Sequence, residues 1–386
     1  MLLSATRIHD GKHWLPEGTI IELSDNGTVT ALHNAGIKEE VKHYDGIICP
    51  GFVNTHCHLE LSHMKGAIPE HTGLVPFLKQ VATTRNDHTE EQKIEARHTA
   101  FKAMQANGVV AVGDIANTSD TLDLRVQNKM HFHSFVEALG FTETPQRQFD
   151  YATAVYHAFD AQQQEGKILR QSIVPHAPYS VSQQLFSLID KFDEQSVLSI
   201  HNQECHAEDE YYLTKKGAIN ELLESIGIDD SFFIPSGKTS IQTYLQWLSA
   251  THPFVFIHNT YTNRADIDIA QTLLKKAYWC LCPNANKYIE NTLPDIPMLM
   301  EECDTICIGT DSLSSNHQLS ILAELQTIKE RYPETEWETL LRWGTYNGAL
   351  ALQMDEVVGG IAVGKQPGLV VIKDLETNPQ ISVVIV

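Results

Sequence analysis

Long apolar runs are missing from this chain of 386 residues. No stretch approaches the roughly 18 consecutive apolar residues of a membrane-spanning helix. The first residues, Met1 to Arg7, lack the long apolar core of a signal peptide, so a cytoplasmic protein is expected. Basic residues are scarce: 28 Lys and Arg stand against 49 Asp and Glu, a net charge of −21. Such a surface repels phosphate backbones and argues against nucleic acid or an anionic membrane as partner. Colloidal solubility is the plainest meaning of the charge. The seven cysteines are odd in number and scattered, which suits reduced thiols better than a disulfide frame. Cys280-x-Cys282 and Cys303-x3-Cys307 lie inside apolar runs and read as core thiols rather than a structural zinc site. No internal repeat, low-complexity tract or glycine-rich dinucleotide loop is visible.

What remains is an ordinary globular composition, 42% hydrophobic and 20% charged, long enough for one large domain and a smaller appendage. Residues 1 to about 49 alternate short β-type runs with turn signals, among them Gly18–Leu23, Asn26-Gly27 and Thr28–Leu32. The last thirty residues look alike, with Gly359–Gly364 and Leu369–Ile372, so both ends are expected to be small β segments that pair. Between them, apolar runs at 51–57, 108–115, 131–140, 172–177, 196–202, 254–259, 278–283 and 305–311 alternate with amphipathic stretches such as 90–107, 181–195, 240–251 and 318–330. Eight strands alternating with helices imply an α/β fold with a parallel sheet, and eight is the count of a closed (β/α)8 barrel. An open doubly wound sheet is the competing architecture.

Polar groups follow these runs in a pattern. The first run ends in His56-Cys57-His58, and side chains at i and i+2 of a strand share one face. The fourth leads to His176, the fifth to His201-Asn202-Gln203-Glu204, the sixth to His258 and the eighth to Thr310-Asp311-Ser312. Taken singly, each has a structural reading: a histidine after a strand is usually a hydrogen-bonder, Asp311 can cap a helix, and His201 and Glu204 can be neighbours on a solvated turn. Taken together, they converge on one mouth if the strands close into a barrel. Burying so many polar groups is costly unless a metal or substrate satisfies them. His56, His58 and His201 are the expected nitrogen ligands and Asp311 the oxygen ligand of one divalent metal ion, zinc or ferrous iron. Such an ion lowers the pKa of a bound water towards about 7. Glu204, three residues past a ligand, suits a general acid/base, and His258 can orient or deprotonate the water.

These residues resemble the amidohydrolase superfamily, and within it the mononuclear aminohydrolases: adenosine-type, S-adenosylhomocysteine, guanine and cytosine deaminases and the triazine hydrolases. The resemblance spans nearly the whole chain and rests on Pro-Gly-Phe-Val-Asn-Thr-His-Cys-His (50–58), His-Ala-Pro-Tyr-Ser (176–180), His-Asn-Gln-Glu (201–204), Cys-Pro-Asn-Ala-Asn (282–286), Gly-Thr-Asp-Ser (309–312), Asn-Gly-Ala (347–349) and Gly-Gly-Ile-Ala-Val-Gly-Lys (359–365). It implies a distorted TIM-type (β/α)8 barrel over 50–349 and a small β-sandwich built from 1–49 and 350–386. It makes His176 a substrate hydrogen-bonder. Binuclear relatives carry a modified lysine on the fourth strand; here that strand reads Ser172-Ile173-Val174-Pro175-His176, so one metal is implied. The unrelated cytidine deaminases need a Pro-Cys-x-x-Cys pair that this chain lacks.

The segment His58-Leu59-Glu60-Leu61-Ser62 resembles the His-Leu-Glu-x-Ser of aminofutalosine deaminases, which remove the 6-amino group of an adenine nucleoside. That points to Glu60 as a substrate contact, although it reads equally well as a structural hydrogen-bonder. The expected function is hydrolytic deamination of an aminated N-heterocycle, an aminofutalosine-like nucleoside foremost, with a small-molecule partner and room for a homodimer. Methylthioadenosine/S-adenosylhomocysteine deamination is the second reading. Guanine or cytosine deamination, ring-amide or chloro-hydrolysis on the same fold, and a binding protein without activity are the alternatives. The last fits poorly, because a binder has no use for Glu204.

Overall fold

The computed structural model describes residues 1–34, 39–127 and 129–385. Four strands come first: β1 (Leu2–Ile8), β2 (Ile20–Leu23), β3 (Val29–His33) and β4 (Lys42–Pro50). The Asn26-Gly27 turn, with Gly27 at φ +84°, joins β2 to antiparallel β3. Nine strands follow in the middle of the chain: β5 (Phe52–His58), β6 (Val109–Ala116), β7 (His131–Ala138), β8 (Leu169–Pro175), β9 (Leu198–Asn202), β10 (Pro253–His258), β11 (Lys276–Leu281), β12 (Ile306–Ile308) and β13 (Asp311–Ser312). Last come β14 (Leu369–Lys373) and β15 (Gln380–Ile385).

The middle strands form two parallel sheets, ordered β13-β5-β6-β7-β8 and β12-β11-β10-β9. β6 and β7 are buried at every position, as expected of parallel strands covered on both faces. Helices supply that cover. Gln183–Phe192, for example, starts at Ser182, whose hydroxyl accepts from the Leu185 amide, and it buries Leu185, Phe186 and Ile189 at helical spacing. The stretches expected at 90–107, 240–251 and 318–330 contain the helices Glu90–Ala106, Ser240–Tyr244 (continued by a 3-10 turn to Trp247) and Ile321–Arg331. No described helix is long and apolar enough to cross a membrane. All seven cysteines are free and buried.

The two parallel sheets touch along both margins. At one, the His201 amide donates to the His176 carbonyl (2.9 Å); at the other, the Thr310 amide donates to the His56 carbonyl (2.9 Å). The run expected as one strand at 305–311 is split there. β12 pairs with β11, and after Gly309 and Thr310 the chain pairs with β5 as β13. Gly309 is required by close approach: a Cβ would stand 2.8 Å from His56 Cβ and 2.9 Å from its carbonyl oxygen. The Asn54 side chain fastens this margin, accepting from the Thr310 amide (3.1 Å) and donating to its hydroxyl (2.8 Å).

Both ends of the chain join one six-stranded sheet, β15-β14-β4-β1-β2-β3, with β4 parallel to β1 and antiparallel to β14. A second sheet facing it, as in a sandwich, is not among the described residues. The Gly359–Gly364 segment, read as β-type, is a turn instead. Gly359 (φ +77°) and Gly364 (φ +91°) take the left-handed region, and the segment is tied to Asp10 and Val29 through backbone bonds of 2.8 and 2.9 Å.

Asn54→Ala is expected to remove both side-chain bonds to Thr310, leaving its buried amide with the His56 carbonyl alone, and to lower unfolding stability by about 1–3 kcal/mol. Urea melts of metal-free protein check this. A midpoint equal to that of the unaltered chain would show that the β5–β13 margin does not depend on the Asn54 amide.

Candidate active site

The polar groups gather at the C-terminal ends of β5, β9 and β10 and at the start of β13. His56 and His58 project from β5, His201 from β9, His258 ends β10 and Asp311 begins β13. The His58 Nε2 lies 3.2 Å from His56 Nε2, 3.2 Å from His201 Nε2 and 3.3 Å from Asp311 Oδ1, and His56 Nε2 lies 3.5 Å from that same oxygen. Four ligands at 2.0–2.1 Å around a tetrahedral ion would be spaced about 3.3–3.4 Å apart. The observed spacings match those edges. One imidazole nitrogen facing two others and a carboxylate cannot satisfy all of them with a single proton, whereas a cation can. The donor set therefore fits a divalent metal. His258 extends the cluster on the other side: its ring, with His56, His201 and Asp311, offers ligand atoms all within 4.8 Å of one another.

Protonation states agree with that fit. Burial lowers the imidazole pKa to about 4 at His56 and His201 and to about 3 at His58, leaving them neutral. The His201 Nδ1 is engaged by the His176 carbonyl at 2.8 Å, which turns its Nε2 lone pair to the site. Burial on its own would push the Asp311 carboxyl up, but its hydrogen bond with His56 and the imidazoles of His58 and His258 outweigh this and hold it well below the usual carboxylate range. Its Oδ2 accepts from the Ser315 hydroxyl.

Glu204 is 5% exposed, and its Oε1 lies 3.6 Å from His258 Nε2. Burial, then the negative charges of Asp311 and Glu208, raise its carboxyl well above the ordinary range. His176 is anchored through Nδ1 to the Ser180 hydroxyl (2.7 Å), and its ring stands 4.9 Å from that of His201. Glu60 is brought close by sequence but turned aside. One oxygen accepts from the Asn117 amide (3.1 Å) and the other from the Thr118 amide and hydroxyl (2.9 and 2.7 Å). Asn117 in turn reaches the cavity, and its Nδ2 donates to Glu137 (2.7 Å).

Glu137 is a residue the motif reading passes over. It sits at the end of β7, 3.4 Å from His201 Nδ1, with its pKa pushed up to about 8 by burial. A signal was present, since Glu137 is a carboxylate that directly follows Phe135-Val136 inside an apolar run. Backbone strain collects here too. Gln203, His258, Asn259 and Asp311 all have positive φ, a conformation that costs of order 1–3 kcal/mol each for non-glycine residues and is concentrated at functional sites. The groups open into a cavity of about 200 Å³ with one polar end, formed by His58, His201, Glu204 and Asp311, and an apolar wall that includes Phe77, Leu78 and Tyr179. Wider clefts of about 460 Å³ elsewhere lack this convergence of buried donors.

Known proteins share this layout. Residues 47–386 match the amidohydrolase family. An adenosine deaminase of Helicobacter pylori is 26% identical over 84% of this chain and 78% of its own length. An aminodeoxyfutalosine deaminase of Nitratiruptor is 24% identical over 83% of this chain and 77% of its own. Among solved structures, the Helicobacter pylori aminofutalosine deaminase in complex with methylthio-coformycin superposes with a TM-score of 0.83 at 21% identity, covering 96% of this chain and 91% of that one. A zinc-bound adenosine deaminase of Xanthomonas campestris gives 0.76 at 20% identity, covering 99% and 87%. At such identities the structural likeness speaks for the fold. The sequence match, running over most of the chain and through every strand that carries the donor set, places this protein in the amidohydrolase family.

Proposed function

We propose that this chain is a metal-dependent hydrolase that deaminates an adenine nucleoside at its 6-amino group and releases ammonia. The observation that carries the reading is the buried Glu204 on the cavity wall beside a four-donor metal set. The names of the relatives, adenosine, aminodeoxyfutalosine and methylthioadenosine/S-adenosylhomocysteine deaminases, support it. An aminofutalosine-like nucleoside is the favoured substrate, on the His58–Ser62 segment. A methylthioadenosine-type nucleoside is second, favoured by a Saccharophagus degradans relative 22% identical over 92% of this chain. The parallel sheets are read as one distorted (β/α)8 barrel over 50–349, with 1–49 and 350–386 as a β-sandwich domain, and the protein as cytoplasmic, with room for a homodimer.

One ion held by His56, His58, His201 and Asp311, zinc rather than iron in this reading, supplies when bound a water acidic enough to attack near neutral pH. The chain's own residues manage the protons. Glu204 donates a proton from its carboxyl to the ring nitrogen next to the attacked carbon, where electron density builds as the water adds. Asp311 and His258 hold the attacking oxygen, and Asp311 accepts one of its two protons. Glu204, left as a carboxylate, takes the other and passes it to the departing amine, and the proton on Asp311 returns to Glu204 to reset the site. His176, its Nδ1 tied to Ser180, presents Nε2 to the heterocycle as a hydrogen-bond partner. Glu60 serves the substrate from one layer back, by fixing the segment that carries Asn117 to the cavity wall.

Incubation with adenine nucleosides is expected to release ammonia and shift the adenine absorbance; no ammonia from any of them would end the deaminase reading. Metal analysis of protein purified without chelator should find one divalent ion per chain, lost in His58→Ala; two ions per chain would refute the mononuclear assignment. Glu204→Gln keeps the shape and cannot shuttle protons. It should retain metal and lose at least about 10²-fold in kcat. Near-native turnover in that variant would rule the proton route out. His176→Ala should weaken turnover while metal content stays near normal, and loss of the metal would mean that His176 belongs to the ligand set.

A further inference from the structure

Glu204 and His258 face each other at 3.6 Å, yet they leave the ends of two different strands, β9 and β10. Both exits run through left-handed backbone: Gln203 has φ +44°, His258 +72° and Asn259 +57°. A non-glycine residue stays in that region only where its surroundings hold it there. The side chain that links the two exits is Gln203, which is fully buried and does not line the cavity.

Every polar atom of Gln203 is engaged. Its Nε2 donates to Asp209 Oδ2 (2.8 Å) and to Asp266 Oδ2 (2.9 Å), which uses both of its hydrogens. An oxygen in that place would face two carboxylates, so the partners fix which way the amide points. Its Oε1 accepts from the Thr262 hydroxyl (2.7 Å). On the main chain, the Gln203 amide donates to Glu208 Oε1 (2.9 Å), and its carbonyl accepts from the Tyr261 amide (3.0 Å). Glu208 and Asp209 lie in the helix His206–Thr214, which follows β9. Tyr261 and Thr262 lie in the turn after β10, and Asp266 in the helix Arg264–Leu273 beyond it. One residue is thus bonded to the segments that leave both strands.

The carboxylates that grip Gln203 are fully buried at Glu208 and Asp266 and half-buried at Asp209, and none of them has a cationic partner among the described residues. Buried carboxylates are costly unless donors satisfy them. Here neutral donors do so. Asp209 also accepts from the Ser240 amide (2.8 Å), and Asp266 from the Thr239 hydroxyl (2.6 Å) and the Gln242 side chain (2.8 Å). Taking the Gln203 amide away leaves two carboxylates facing each other and frees both turns to relax. The metal ligand His201 is held independently, by the His176 carbonyl.

Resting on the deaminase reading above, we propose that Gln203 is a positioning residue for proton transfer: by clasping Asp209 and Asp266 it fixes the turn that aims Glu204 against the turn that carries His258. It acts from behind the cavity wall, through Glu204.

The test is a kinetic cycle on metal-loaded enzyme. Adenosine, 5′-methylthioadenosine and aminofutalosine are offered, and the fastest substrate is used throughout. Gln203→Met keeps the length and removes both amide donors. It should lower kcat by about 10²-fold, with KM changed less than about threefold and metal content at the wild-type level. In the Glu204→Gln background the same substitution should bring no further loss, because a side chain that cannot shuttle protons gains nothing from being aimed. Thr262→Val removes the hydroxyl that Oε1 accepts from and spares the carboxylate contacts. It should lower kcat by about fivefold, again only where Glu204 is present, and it decides the matter if Gln203→Met does not melt cooperatively or hold metal. An equal fall in both backgrounds, or a lowered melting temperature with kcat intact, overturns the proposal and leaves deamination standing. No turnover of any of the three nucleosides by the wild-type enzyme removes the deaminase reading, and this proposal with it.

Discussion

Four lone pairs, each within 3.5 Å of at least one other, in a site from which water is largely excluded, are the constraint around which the rest of the protein is arranged. In the absence of a cation they repel, and burial removes the solvent that would screen them. Several unusual local features answer that demand. Gly309 lets the last strand pass against His56, the His176 carbonyl sets the orientation of His201, Ser315 holds Asp311, and four residues at the rim accept left-handed backbone. Each of these costs something in isolation, and each places a donor atom.

Raised carboxyl pKa values do not by themselves identify the proton carrier. Glu137 and Glu208 both stand at about 8 and Asp114 at about 7, all through burial. Geometry separates them. Glu208 accepts from the Gln203 amide and the Ser240 hydroxyl beneath the site, and Asp114 accepts from the Leu59 amide. Glu137 is committed to Asn117. Glu204 shares the cavity wall with Glu137, but its carboxyl accepts no hydrogen bond among the described residues and faces His258 across the ligand set.

The parallel strands and the ends of those strands were readable from the sequence because both signals are local. A run of apolar residues marks burial on two faces, and a polar residue immediately after it has nowhere to go but the rim. His56, His58, His201, His258 and Asp311 follow from that rule. Glu137 was hidden by position, standing inside its expected run of 131–140, three residues before the end. The split of the last strand is also invisible in one dimension, because it depends on how near Gly309 comes to His56. The turn at 359–364 was misread because its apolar residues, Ile361 and Val363, alternate as in a strand, while its glycines take conformations that no strand adopts.

Asn54 and Thr310, the pair that fastens β5 to the start of β13, are 256 residues apart. Closing so long a loop is slow and comes late, since the entropy must be spent before the contact repays it. Until it happens, His56 and His58 form a two-nitrogen chelate on a strand of their own, with neither His201 nor Asp311 in reach. A chelate of that kind obeys the intrinsic affinity order, in which copper outranks zinc, because selection by geometry requires all the ligands. Selection of a cation by geometry at these residues therefore depends on chain topology as much as on ligand chemistry, since the carboxylate joins the imidazoles only when the last strand docks.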